Sequence, residues 1–414
     1  MKTHFLLLAA LFWVVTHSSC RDQSPSSSAA AVIPTDTLEK YEIPVKYLGG
    51  HLYLPTSIND SVKGNFLFDT GADGLCIDTL FLFRSPLSVR KFYHAYVGGV
   101  GTGAQKVKQI LDPYTCRAGH ITLKPDFTVT LQLKPLLGRY ADGILGINFA
   151  KDSALYIDYE KEKIKITRFD TTVAQGYEKL PLLCRGNRVY TEAQVDIQGH
   201  KIKGLFLLDL GAGSSILTSQ CARQNKLEER LHFQIKSYTN QGGIGGESSS
   251  CSFRADTFRL GNFKLTAPIL RYSHDKKGAL SYRDYIGLLG NDILEQFDVI
   301  LDFPDSSLYL RPNKKYNRKQ TFSSTGFAYV DRTDICEGWI IRALYENLPA
   351  EKAGLKIGDI ILAINGIQVK NIPFEEQERF WENLDTPYLL TVQRNDQRRS
   401  VKIELKIDPV EFSE

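Results

Sequence analysis

Two stretches decide the reading: Gly64-Asn65-Phe66-Leu67-Phe68-Asp69-Thr70-Gly71-Ala72 and, 140 positions on, Gly204-Leu205-Phe206-Leu207-Leu208-Asp209-Leu210-Gly211-Ala212. Gly, Phe, Leu, Asp, Gly and Ala recur in register. A glycine-rich segment follows each copy. Gly98-Gly99-Val100-Gly101-Thr102-Gly103 begins 29 residues after Asp69, and Gly242-Gly243-Ile244-Gly245-Gly246 begins 33 residues after Asp209. An aliphatic pair closed by Gly comes next, Ile144-Leu145-Gly146 at 75 residues and Leu288-Leu289-Gly290 at 79. Three landmarks at matching offsets mark a duplicated unit.

Around these landmarks lie short runs rich in Val, Ile, Phe, Tyr and Thr, bounded by Gly, Asp, Asn or Pro, at 127–133, 154–159, 163–167, 188–195, 201–208 and 297–303. Such runs read as strands, and long 3.6-residue periodicity is scarce. The natural architecture is a pair of small β-barrel-like lobes, over 41–170 and 171–312. With 414 residues, the chain is long enough for two or three domains. A composition of 43% hydrophobic and 24% charged residues excludes collagen-like and low-complexity classes. The net charge of +4 is too small to imply a nucleic-acid surface.

An aspartate placed after four or five apolar residues and before Gly ends a buried strand at a sharp turn. A buried, unpaired carboxylate is costly, so it needs a partner or a proton. Two related lobes facing each other across an approximate two-fold axis would bring Asp69 and Asp209 together. Carboxylates about 3 Å apart share one proton. The ionised member can then take a proton from a water while the protonated member donates to a carbonyl oxygen. That chemistry hydrolyses an amide with no metal and no cofactor.

Asp69-Thr70-Gly71-Ala72, Asp209-Leu210-Gly211-Ala212 and the downstream aliphatic-Gly elements resemble the aspartic proteases of the pepsin and retropepsin clan, over about residues 41–312. The resemblance implies that Asp69 and Asp209 are catalytic, with Thr70, Gly71 and Gly211 in support. It also implies a glycine-tipped flap over the cleft at Gly98, Gly99 and Gly101, with Tyr96 leaning inward, and a second flap at 242–246. One departure matters: Leu210 stands where the family has Thr or Ser, whose hydroxyl ties the two active-site loops together. Ala72 and Ala212 offer the carboxylates no hydroxyl, which favours work at mildly acidic or neutral pH.

The N-terminus reads as an export signal. Lys2 gives a positive start, residues 5–15 are apolar but too short to span a bilayer, and Ser18-Ser19-Cys20 resembles a bacterial lipoprotein cleavage site. Residues 1–20 are thus a leader with lipid expected on Cys20, ordinary secretion being the alternative. Residues 21–40, rich in Ser and Ala, read as a flexible tether. The expected location is a bacterial cell envelope, with the membrane met only through that lipid. The other six cysteines are even in number and contain no C-x-x-C, leaving disulfides and buried free thiols both open.

Polar, basic residues 313–323 read as a solvated linker. A new pattern follows: Leu348-Pro349-Ala350-Glu351-Lys352-Ala353-Gly354-Leu355 as a short helix, then Lys356-Ile357-Gly358-Asp359-Ile360-Ile361-Leu362-Ala363-Ile364-Asn365-Gly366 as a turn, a buried strand and a hairpin turn. This run resembles a bacterial PDZ domain, expected over 324–409, with a later helix at 374–384. The resemblance implies that a peptide adds as a strand and that its terminal carboxylate is held near Gly326, Phe327 and Ala328. A PDZ domain that only packs on the lobes is the alternative.

The expected whole is therefore a mainly β chain, two related β-barrel-like aspartic protease lobes followed by an α+β PDZ domain. It would act as a monomeric endopeptidase on peptide or unfolded protein, since both lobes lie in one chain, and would bind polypeptide C-termini. The competing reading is a non-catalytic peptide-binding protein with a degenerate dyad. Gly99-Val100-Gly101-Thr102-Gly103-Ala104 also fits a nucleotide-loop pattern, but no helix pattern follows it.

Overall fold

The computed structural model describes residues 13–14 and 42–410, apart from 102, 321, 324, 378, 382, 384–385, 395–399 and 408. The expected leader, Cys20 and the 21–40 tether lie outside the described residues, save Trp13–Val14, which pairs with Val97 and Gly98.

Each motif strand begins half-exposed and ends buried on both faces. Val62–Asp69 and His200–Leu208 start with alternating polar residues and finish in unbroken apolar runs. Such a strand dives from the surface to the centre and delivers the residue at its end to the interior. The surroundings of the two strands repeat. Val62–Asp69 lies antiparallel to His51–Ile58 and parallel to Gly143–Gly146, while His200–Leu208 lies antiparallel to Arg188–Ile197 and parallel to Gly287–Leu289. A further strand is woven in beside each, Leu75–Asp78 and Ile216–Leu217, each antiparallel to the Gly-bounded strand and parallel to the next one, Thr128–Leu131 or Ile269–Ser273. The duplication read in the sequence is thus a duplication of topology.

The halves are joined by a six-stranded sheet to which both contribute. Ala154–Asp158 pairs antiparallel with Phe297–Asp302, flanked by Lys163–Thr167 and Glu42–Pro44 on one side and by Ser307–Pro312 and Glu178–Pro181 on the other. One apolar cluster runs through both halves, from Ile43 and Phe68 to Phe206 and Leu310.

The molecule is mainly β, and among the described residues no sheet closes on itself, so the expected barrel-like lobes are not confirmed. In the second half the reason is visible: the edge strand Ile235–Gly243 pairs with Trp339–Tyr345 of the C-terminal domain instead of closing. Residues 313–320, exposed at Lys314, Asn317, Arg318 and Lys319, are also tied to the second half. Tyr316 packs its ring against Phe263 and Phe297, Asn317 Oδ1 accepts from Thr266 N, and Gln320 Oε1 accepts from Ile269 N. An aromatic ring and two side-chain amides bind this basic segment to the second half.

The C-terminal domain has its own core, built on Trp339, Ile341, Ile361, Trp381 and Leu390. Pro349–Lys352 is a short helix, and Ile360–Ile364 turns at Asn365 and Gly366, both at positive φ as a two-residue hairpin turn needs, into Ile367–Gln368. The helix expected at 374–384 is instead two 3₁₀ turns, Phe374–Glu376 and Arg379–Trp381. Cys76, Cys116, Cys184, Cys221, Cys251 and Cys336 are all free thiols. Of the two alternatives left open, the structure has the unbridged one.

Candidate active site

The two Asp-Gly turns meet at the centre. Asp69 and Asp209 are fully buried. In each turn the carboxyl accepts from the glycine two residues on, Gly71 N to Asp69 Oδ1 at 2.6 Å and Gly211 N to Asp209 Oδ1 at 2.9 Å. The opposite oxygen of each, Oδ2, has no hydrogen-bond partner among the described residues. The first carboxyl lies directly against the second turn: a methyl group on Gly211 would stand 2.3 Å from Asp69 Cγ. Gly211 is therefore glycine because the opposing carboxyl occupies the space of its side chain.

The downstream glycines have the same kind of cause. A Cβ on Gly146 would stand 2.7 Å from Ala72 O, and one on Gly290 would stand 2.8 Å from Ala212 O. The aliphatic-Gly strands run under the two turns so closely that no side chain fits. Ile147 N and Asn291 N then bond to those same carbonyls at 2.9 and 2.8 Å.

Thr70 joins the loops across the interface. Its hydroxyl donates to Leu208 O at 2.8 Å and accepts from Leu210 N at 3.0 Å. Leu210, fully buried, returns no such bond. A different group holds its loop: Asn291 Nδ2 donates to Leu210 O at 2.7 Å and to Gly50 O at 2.8 Å, and Tyr159 Oη donates to Asn291 Oδ1 at 2.7 Å. The sequence reading missed this bridge, because nothing in Asn291 or Tyr159 shows locally that they meet.

Burial and the adjacent Asp209 carboxylate push Asp69 well above the usual carboxylate range. Burial also raises Asp209, to about 6, against the opposing effects of the Asp69 hydrogen bond and the Gly211 N–H. Each carboxyl acts on the other, so the two titrate as a pair. Arg188 lowers both. Its guanidinium donates to Asp73 Oδ1 at 2.6 Å, linking the second half to the residue just after the first motif. Strand register makes His51 its counterpart, since Tyr53 faces Leu67 as Tyr190 faces Leu207. His51 is buried and held neutral, its titration lowered to about 3 by desolvation. The strand position that carries a cation in the second half thus carries a neutral imidazole in the first.

Two hairpins reach toward the motif turns, Phe92–Gly98 with Ala104–Ile110 and Ile235–Gly243 with Gly246–Arg254; Val100 lies in the apolar cluster of Ala212 and Ile244 in that of Ala72. Their glycine tips touch. Gly103 N donates to Gly245 O at 2.8 Å, and Gly245 N donates to Val100 O at 2.7 Å. A Cβ on Gly101 would lie 2.5 Å from Gly245 C. Gly99 O accepts from Ala279 N at 3.1 Å, and Gly98 is the last residue of its strand. Tyr96 does not lean inward: it is 53% exposed, because the two-residue period that turns Ala95 and Val97 inward turns Tyr96 out. Asp275, another residue the sequence did not single out, accepts from Ser248 of the second hairpin at 2.9 Å.

In the C-terminal domain, Gly326 takes φ +83° where a Cβ would strike Ala350 N at 2.8 Å, and Phe327 and Ala328 begin the strand Phe327–Asp331. That strand pairs with Trp339–Tyr345, and Trp381 packs edge-on against Phe327. Residues 340–394 match the PDZ domain family. Among curated proteins the chain finds no match. The PDZ match carries peptide or protein binding with it, typically at peptide C-termini.

Proposed function

We propose that this chain is an aspartic endopeptidase that cleaves unfolded polypeptide with Asp69 and Asp209, and that its PDZ domain receives polypeptide C-termini. One observation carries the reading: each half of a duplicated fold supplies one buried carboxyl, and the Oδ2 of each has no hydrogen-bond partner among the described residues. Buried polar atoms are nearly always satisfied, so two unsatisfied carboxyl oxygens at one interface mark a place built for something else. A water between them would be polarised by the ionised member, while the protonated member donates to the substrate carbonyl. The hydrated carbonyl then collapses as the leaving amine takes a proton, with no covalent intermediate. Export and lipid attachment at Cys20 belong to this proposal, as does action as a monomer.

Leu210 favours a second reading, a peptide-binding protein whose pair no longer works. Asp69→Asn and Asp209→Asn, assayed on a reduced, unfolded polypeptide between about pH 4 and 7.5, separate the two. The enzyme reading expects turnover by the native chain and loss of at least a hundredfold in each variant. No turnover by the native chain leaves the binding reading.

A further inference from the structure

The PDZ domain touches the second hairpin on one side and the body of the first half, at residues 136–140, on the other. Trp339–Tyr345 continues the second hairpin's sheet, with Ser237 opposite Tyr345, Tyr238 opposite Leu344 and Thr239 opposite Ala343, and Glu346 N bonds to Lys236 O at 2.8 Å. On the far side of the domain, Phe327–Asp331 pairs with Trp339–Tyr345 along one edge. At the end of its other edge sits the first half. Arg139 N donates to Asp331 O at 2.9 Å, as the backbone of an added strand would. The Arg139 Nε to Asp331 Oδ2 ion pair is 3.0 Å long, Tyr140 stacks on Phe374 with centroids 4.9 Å apart, and Arg342 Nη1 donates to Leu136 O at 2.5 Å. Gly138, at φ +84°, lets this segment approach Asp331 closely. Residues 138–140 thus occupy part of the strand edge along which a PDZ ligand extends.

We propose that the PDZ domain is a gate on the candidate site: a polypeptide laid along Phe327–Asp331 displaces residues 138–140 from that edge, and the freed domain pulls the second hairpin away from the first. This rests on the proteolytic reading for its purpose, but not for its mechanics. A strand advances about 3.3 Å per residue, so a ligand of two or three residues held at Gly326 stops short of Asp331, whereas a longer one competes with Arg139. The gate therefore answers to polypeptide chains and not to their short end products.

Two engineered proteins test it. In Arg139→Ala/Tyr140→Ala the docking side is cut while the hairpins are untouched. Amide exchange at 327–331 should rise, and exchange at the tips, 98–104 and 242–247, should rise with it by at least tenfold. A fluorescein-labelled pool of random decapeptides with free C-termini should bind at least tenfold more tightly than to the native chain. Arg139→Cys/Asp331→Cys places two thiols on the plug and on the strand edge it covers, at residues whose backbones are hydrogen-bonded at 2.9 Å and whose side chains already meet, within disulfide reach. Once oxidised it should hold tip exchange at or below the native value and cut cleavage of an unfolded polypeptide tenfold, with dithiothreitol reversing both. The gate is wrong if tip exchange in the alanine variant stays native while exchange at 327–331 rises, or if the oxidised protein cleaves at the reduced rate. Unchanged exchange at 327–331 overturns the assignment of Arg139 and Tyr140 as the plug. If no form cleaves anything, the proteolytic reading fails, and exchange and peptide binding still decide the gate.

Discussion

Replacing Asp209 by Asn should make the protein more stable while destroying its proposed activity. Asp209 titrates at about 6 in the folded chain against 3.8 for a free side chain, because burial disfavours its charge. A group whose folded titration is raised costs stability wherever the unfolded chain can ionise it and the folded chain resists. Below pH about 3.8 both forms hold the proton and nothing is lost; above about 6 the full difference is present. The difference between about 6 and 3.8, at about 1.4 kcal/mol per tenfold, gives on the order of 3 kcal/mol, held jointly with Asp69 because the two titrate as a pair. Asn keeps an oxygen for Gly211 N–H and offers Asp69 a donor. Asp209→Asn should therefore gain about 3 kcal/mol over the native chain at pH 7.5 and almost nothing at pH 3.5. Urea unfolding followed by far-UV circular dichroism at the two pH values is the assay. Tryptophan fluorescence would mislead, since Trp339 and Trp381 both belong to the PDZ core. Equal stability of native chain and variant at pH 7.5, or a gain that persists unchanged at pH 3.5, refutes the reasoning.

Thr70→Val keeps the shape of the side chain but strands Leu208 O and Leu210 N in the interior, so it should cost about 3 kcal/mol in urea unfolding and lower kcat more than it raises KM. Gly211→Ala forces a methyl against Asp69 Cγ; cleavage should disappear while the PDZ domain still binds peptide, which fluorescence anisotropy would show. The kcat/KM profile should have its acid limb near pH 6, where Asp209 gives up its proton, and an optimum below pH 3 would contradict the paired titration. Arg188→Met removes a cation that favours ionisation of both carboxyls, so that acid limb should move to higher pH.

Much of the centre was legible because its constraints are local and severe. Gly146, Gly211 and Gly290 are positions where no side chain fits, and such positions show in any sequence. Strand positions followed from β-branched runs, and the Asn365-Gly366 turn from its two positive φ angles. What stayed hidden depends on partners distant in the chain. Tyr96 sits on a hairpin whose inward face is set by what lies beneath it. Asn291, Tyr159 and Gly50 meet only after both halves fold. The docking of residues 313–320 and the pairing of the second hairpin with the PDZ strand are likewise tertiary, and the second of these is what leaves its sheet open.

The six-stranded sheet makes the two halves structurally inseparable. Ala154–Asp158 has Phe297–Asp302 as a neighbour, so a fragment ending near residue 170 would carry a naked apolar edge at its base. The cheapest cover for that edge is another copy of the same fragment, related by a true two-fold axis. Two Thr70 hydroxyls would then face each other where Thr70 now faces Leu210. In the intact chain one covalent connection takes the place of that self-complementary pairing, and its two sides are free to differ, as Thr70 and Leu210 do.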